Sequence, residues 1–153
     1  MIKRCSIEDI KEVHSILKHK DIYSRIIDDG SPPVEQFSAA SMLLNPMAQV
    51  IISHGVLFTI FPVNAITWDL HIHATKKKRG EIAMKALNEV IEYMFTKTPC
   101  QKLVAFISKR HMNVAKFAHK AGWDLEGEIT GSMKIDGKIY DQYIFGLRRE
   151  QWQ

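Results

Sequence analysis

The sequence predicts an α+β fold in which a mixed β-sheet carries helices on its faces, and three observations lead there. Helical periodicity fills the first third of the chain, period-two and β-branched runs fill the middle, and strands then alternate with helices to the end. Asp136-Gly137 stands between two long strand-like runs and marks an antiparallel hairpin. The 153 residues, 46% of them apolar, suffice for one hydrophobic core and not for two ordinary domains, so a single domain over residues 1–153 is expected.

Residues 2–5 form a short strand candidate. Ser6 follows with Asp9 three residues on, an acidic variant of the capping box, so a helix starts there. Ile7, Ile10, Val13, Ile16 and Leu17 recur at helical spacing and give it a core-directed face, with His14 beside it. A second helix is expected over residues 21–29, with Ile22 and Ile26 on one side and Gly30-Ser31-Pro32-Pro33 as its stop. A third is expected over 34–44, stopped by Asn45-Pro46. Strands over 49–53, 56–61 and 65–73, separated by His54-Gly55 and Pro62-Val63-Asn64, should form an antiparallel meander. In the last of them Ile66, Trp68, Leu70 and Ile72 alternate with Thr67, Asp69, His71 and His73, so one face is buried and the other carries titratable groups. Residues 81–96 read as an amphipathic helix closed by Pro99. A continuous apolar strand over 102–107, a helix over 113–121 ended by Gly122, and strands over 123–135 and 139–147 complete the chain.

Composition narrows the function. Cys5 and Cys100 lie far apart, outside any CxxC or histidine pairing, which predicts neither a disulfide framework nor a metal site. Glu8, Asp9, Lys11 and Glu12 follow the opening residues without an apolar stretch, so no secretion signal is expected. No apolar run approaches the roughly 20 residues a bilayer-spanning helix needs, and a cytoplasmic protein is the expectation. The net charge of +4 is concentrated in Lys76-Lys77-Lys78-Arg79. Such a run suits nucleic acid or a phosphate site; without interleaved aromatics or a helix-turn-helix signature, a nucleic-acid partner is not expected.

The basic run joins the histidine-bearing strand to the helix over 81–96, with Gly80 at the junction. A helix start offers unpaired N–H groups and a positive dipole end, and a glycine lets a phosphate approach the backbone. Farther on, Asn113-Val114-Ala115-Lys116-Phe117-Ala118-His119-Lys120-Ala121-Gly122-Trp123 follows the strand over 102–107. This second block resembles the segment of GNAT N-acetyltransferases written as Asn, two residues, a small residue, then a run ending Lys-x-Gly-Phe. With it in place, Leu70-His71-Ile72 through Arg79-Gly80 resembles the superfamily's fourth strand and pyrophosphate loop, and the match covers residues 68–151. The His71-Ile72 pair, the Arg79-Gly80 loop and the tail from Asp136-Gly137 to Gln151-Trp152 are similar to the branch that modifies ribosomal-protein N-termini and to small phage-encoded relatives.

The resemblance implies the GNAT fold: a central, mostly antiparallel twisted sheet of about six to seven strands, splayed between the fourth and fifth, with helices on both faces. It implies acetyl-CoA as cofactor, held by Ile72, Lys77, Lys78, Arg79, Gly80, Glu81 and Ile82, with Asn113 on the pantetheine arm and Phe117 at its edge. It implies an N-acetyltransferase in which a small-molecule or protein amine attacks the thioester directly. A lysine-like ammonium, with a pKa of about 10.4, must lose a proton before it attacks. His71 is the first candidate to take that proton, with Asp69 and His73 on the same strand face and Glu126 and Glu128 in reserve. Asn113 is an N-cap candidate by residue type, and His111 just before it is expected to cap the helix, with phosphate binding as the alternative. Two departures stand out: Ile82 occupies the place of a small loop residue, and Ala118 that of a tyrosine that in many members protonates the leaving thiolate. Some phage relatives are virion or head-assembly components, so the resemblance also implies an alternative, a non-catalytic assembly protein with phage partners. The oligomeric state stays open, a dimer included.

Overall fold

The computed structural model describes residues 1–152. Its strands are β1 (Ile2–Arg4), β2 (Gln49–Ser53), β3 (Val56–Pro62), β4 (Thr67–His73), β5 (Lys102–Ser108), β6 (Asp124–Ile135) and β7 (Lys138–Arg148). Its helices are α1 (Ile10–Leu17), α2 (Lys20–Ile26), α3 (Ala40–Leu44), α4 (Glu81–Lys97), α5 (Met112–Lys120) and α6 (Arg149–Trp152). The strands form one sheet in the order β1-β2-β3-β4-β5-β7-β6, antiparallel everywhere except between β4 and β5.

Side-chain alternation divides the sheet into two faces. Ile51, Phe58, Ile60, Trp68, Leu70, Leu103 and Leu147 pack with Leu87, Val90, Ile91 and Met94 of α4 and with Ala115 and Ala118 of α5. Val50, Ile52 and Leu57 point the other way and meet Val13 and Leu17 of α1 and Ile22 of α2. The period of two on the strands and of three to four on the helices thus accounts for both layers.

Local chemistry explains where the observed elements depart from the sequence reading. The Ser6–Asp9 capping box forms, but it closes a 3-10 turn ahead of α1. The second helix stops at Ile26, short of residue 29, because Ile27 is extended and Asp28 turns the chain by accepting from Gly30 N–H. The expected third helix is split by the extended Phe37 into a 3-10 turn and α3, and the Ala39 N–H is taken by His14 Nε2 at 2.9 Å. Strand β4 starts at Thr67 and not at residue 65, since Asn64 Oδ1 accepts from the N–H groups of Ile66 and Thr67 in a turn. Helix α6 was not expected. At the hairpin, Asp136 and Gly137 both have positive φ, 51° and 77°, the geometry of a type I′ turn.

The parallel pair β4–β5 is short. It holds at Thr67–Lys102, Trp68–Leu103 and Asp69–Val104, and then the strands part. Strand β4 stays paired to β3 as far as His73, and β5 to β7 as far as Ser108. The splay implied by the resemblance is therefore present: each strand keeps its outer partner and loses its inner one.

Helix α4 is fixed to the sheet by Glu89, whose carboxylate accepts from the Met1 ammonium at 3.0 Å, Ser53 Oγ at 2.7 Å and His54 Nε2 at 2.8 Å. The His54, Ser53 and Met1 bonds hold the Glu89 carboxyl down at about 2. A carboxylate with a depressed folded pKa contributes stability above its unfolded pKa and loses it as pH falls through the folded one. Glu89→Gln should lower Tm by a few degrees at pH 7; thermal melts against pH should show that deficit shrinking from about pH 4.5 toward 2.

Candidate functional site

The gap between the parted strands opens into a cavity of about 760 Å³. Backbone geometry decides what faces it. The Ile66 carbonyl accepts from Gln101 and Lys102 N–H, whereas that of Thr67 accepts from Val63 and Asn64 on the β3 side. Two-residue alternation then directs the N–H and C=O of Leu70 and Ile72 toward β5, beyond the last β4–β5 pair. On β5, Gln101 O and Lys109 N bond toward β7, so the same alternation turns the Phe106 backbone toward the gap.

The far end of the cavity is the start of α4. Gly80 adopts φ 79° and ψ −127°, a conformation open to glycine and strained for other residues, with no atom within 4 Å of where a Cβ would stand. No side chain caps the helix, and its first turn is closed by Met84 N–H donating to Gly80 O at 2.9 Å. The N–H groups of Glu81, Ile82 and Ala83 therefore have no intrahelical acceptor. A smaller recess of about 440 Å³ shares Gly80 and Phe117 with the main cavity and adds Glu81, Lys85 and Lys120.

Arg79 is anchored beside this helix start. It donates from Nε to the Ala74 carbonyl at 3.2 Å and from Nη2 to the Asp21 carbonyl at 3.0 Å. The Asp21 carboxylate accepts the Lys76 N–H at 3.0 Å, a bond that, with nearby cations, holds its pKa below the usual range. The 3-10 turn Lys76–Lys78 is thereby tied to α2.

Among the residues the sequence singled out, Asp69, His71, Ile72, His73, Arg79, Gly80, Asn113 and Phe117 all line the main cavity, and Glu81 lines the recess. Lys77, Lys78 and Ile82 line neither. The Lys78 side chain lies over Gly55, its Cε 3.0 Å from where a Gly55 Cβ would stand. Ile82 projects outward at 39% exposure and does not fill the gap. His111 occupies the N-cap position of α5 without a side-chain capping bond, and Asn113 falls inside the helix. Glu126 and Glu128 pair with Lys102 and Lys109, away from the cavity.

The three β4 candidates differ in what they can do. His71 Nε2 meets Asp69 Oδ2 at 3.0 Å, which fixes the ring and leaves Nδ1 for another partner. His73 is 7% exposed, its Nε2 lies 3.0 Å from Thr59 Oγ1, and burial, reinforced by His71, pushes its pKa down to about 3. Such a group stays neutral through the physiological range and is too weak a base to accept an ammonium proton. Three buried polar atoms of the cavity wall have no partner among the described residues: Asp69 Oδ1, His73 Nδ1 and Trp123 Nε1.

Sequence reasoning missed the roof of the cavity. Asp21, Ile22, Arg25, Ile26 and Ile27 of α2 and its exit cover the face of the sheet that bears Asp69 and His71. Asp29 closes this roof onto the β6–β7 hairpin: its carboxylate accepts from Asp136 N–H at 2.7 Å and Gly137 N–H at 3.0 Å. The available signal was Arg25, a cation set between Ile22 and Ile26 on a short helix.

His73 gives a test of its own. A histidine whose folded pKa is lowered binds its proton mainly when unfolded, so stability falls as pH drops from about 6.5 toward 3. His73→Asn should flatten the dependence of unfolding free energy on pH in that window, as read by urea melts at stepped pH; an unchanged slope would place the titration elsewhere.

No family model matches the sequence, and no curated protein sequence matches it. Solved structures do match. Spermidine N-acetyltransferase from Vibrio cholerae, in complex with CoA and spermine, superposes with a TM-score of 0.80 at 13% identity, over 99% of this chain and 96% of that one. A single-substitution variant of the same enzyme gives 0.81 at 12% identity, over 99% and 96%. A Streptococcus mutans protein gives 0.75 at 15% identity, over 97% and 99%. At these identities the likeness is one of architecture, and the architecture of this chain is the GNAT fold.

Proposed function

We propose that this chain is a single-domain, acyl-CoA-dependent N-acetyltransferase in which an amine attacks the acetyl thioester directly. The observation that carries the reading is the parting of β4 from β5 over a cavity that runs to the uncapped N-terminus of α4. A volume of about 760 Å³ falls in the range of small-molecule sites.

The residues present fit the cofactor. A pantetheine arm carries amides, and the backbone groups of Leu70, Ile72 and Phe106 offer a strand-like edge to bond them. The free N–H groups of α4 and the Arg79 guanidinium form a cationic end suited to a pyrophosphate. Lys85 and Lys120 beside the recess add charge for a further phosphate. The resident chemistry of acetyl-CoA is a thioester already activated toward amines.

The chain supplies placement, charge stabilisation and a proton acceptor. Amide hydrogens on the open edge of β4 would stabilise the negative charge that a thioester oxygen gains if the acetyl group lies against that edge. His71, oriented by Asp69, takes the proton from the attacking amine through Nδ1, directly or through one water. Among the described residues no tyrosine lines the cavity, and Ala118 is buried in its wall. The cavity lining would offer no phenol to a leaving thiolate, which needs none near neutral pH, its parent thiol having a pKa of about 8.5.

Ala118 also favours a second reading, a GNAT-fold assembly protein with a disused site. Cofactor binding separates the two. Acetyl-CoA at 100 times its Kd should stabilise the protein by about 2.7 kcal/mol, a Tm rise of roughly 5–10 °C for a chain of this size. No shift at millimolar acetyl-CoA leaves only the assembly reading. His71→Ala should lower kcat by about 100-fold or more while leaving the acetyl-CoA shift intact, measured as free-thiol release against an amine panel.

A further inference from the structure

The charges around the cavity are unevenly matched. Two carboxylates line it, and each has a contact: Asp69 holds His71 through Oδ2, with Oδ1 unpartnered, and Asp21 holds the Lys76 N–H. Two guanidiniums line it, and only one is engaged, since Arg79 donates to two carbonyls. Arg25 is half-buried and has neither a hydrogen bond nor an ion pair among the described residues. Burial and then the Arg79 charge hold the Arg25 pKa below its usual value, and His111 across the gap is pushed down by burial and then by Arg25.

Position in the fold says which ligand this cation faces. Helix α2 packs on the sheet face that bears Asp69 and His71, opposite the face covered by α4 and α5. Arg25 lies one helical turn, about 5.4 Å, beyond Asp21, which marks where α2 touches the phosphate-side loop. It points into the chamber closed by Asp29 and the hairpin, whose other walls are Gln142 and Met133. A half-buried guanidinium without a partner costs desolvation that an anion would offset, and a planar carboxylate suits it in shape. A polyamine would instead bring further positive charge next to Arg25, with only Asp69 Oδ1 open to receive it.

We propose that the acceptor is a small amine that carries a carboxylate, with Arg25 as the group that binds the carboxylate while His71 receives the amine proton. This rests on the acetyltransferase reading and adds the substrate class. It sets the proposed acceptor apart from the spermidine for which the structural neighbour is named.

The test compares free amino acids with the same amino acids as C-terminal amides, and with spermidine, in the full-length protein with acetyl-CoA. At least one free amino acid should be acetylated with kcat/KM tenfold or more above its amide, and spermidine should be a poor substrate. Arg25→Gln should raise KM for the free acid at least tenfold, erase the acid–amide difference and leave the acetyl-CoA Kd unchanged; Arg25→Lys should restore part of the preference. Equal rates for acid and amide, preference for spermidine, or turnover of no free amino acid while acetyl-CoA still binds each overturn the inference and leave the acetyltransferase reading standing. Loss of acetyl-CoA affinity in Arg25→Gln also overturns it, by assigning Arg25 to the phosphates. Failure of the unaltered protein to bind acetyl-CoA removes both readings together.

Discussion

Everything in this molecule that concerns a ligand follows from hydrogen bonds that are not made between β4 and β5. After Asp69 and Val104 the two strands have no common partner, and backbone groups of Leu70, Ile72 and Phe106 face a gap. A buried backbone group left unpaired costs roughly 1–3 kcal/mol, so a fold that keeps such a gap must hold it open from outside. It does so through strong outer pairings, β4 with β3 over six residues and β5 with β7 over seven. The gap is floored by apolar side chains of α4 and α5, including Ala83, Leu87 and Ala118. A strand-like ligand that restores the missing bonds finds its acceptors and donors already fixed, and little ordering entropy is left to lose on binding.

The loop after β4 shows how charge is placed as well as supplied. Four consecutive cations could spread over the surface, yet Asp21 grips the Lys76 N–H and Arg79 grips two carbonyls. These contacts turn Arg79 to the helix start and send Lys78 toward Gly55. One residue of α2 thus decides which cation of the run belongs to the cavity. The same helix carries Arg25 on its next turn, so its docking sets the loop on one side and the proposed acceptor chamber on the other.

Much of this was legible in the sequence because it rests on local rules. The His54-Gly55 and Asp136-Gly137 turns, the 3.6-residue period of α4 and the alternation of β4 name their elements, and the Asn113 to Trp123 block names the fold. What was not legible depends on contacts between distant residues. Asp69, His71 and His73 look equivalent on a strand of period two, but burial against Thr59 makes His73 a neutral structural group, and only His71 has an orienting carboxylate. Lys77 and Lys78 look alike as phosphate ligands in the sequence, but the 3-10 turn leaves Lys77 exposed and lays Lys78 over Gly55, and neither lines the cavity. Ile82 looks like an obstruction, yet a helix start presents N–H groups to one side and side chains to the other. The α2 roof escaped notice because a seven-residue helix gives too few periods to show a lining face.

In the proposed acetyl transfer, the absence of a phenol at Ala118 and the unpaired Arg25 would act on the reaction from opposite ends. A thiolate can leave unprotonated, so losing the phenol removes a convenience on the departing side. The attacking side has the harder problem, because an ammonium near pKa 10.4 is almost wholly protonated at neutral pH. Bringing it into a half-buried chamber beside Arg25 would disfavour the charged form through desolvation and like charge. A carboxylate on the same molecule, bound to Arg25, offsets the cost of entry while leaving the amine to face His71. Affinity and deprotonation then draw on one cation, and a ligand without the carboxylate meets the repulsion without the attraction.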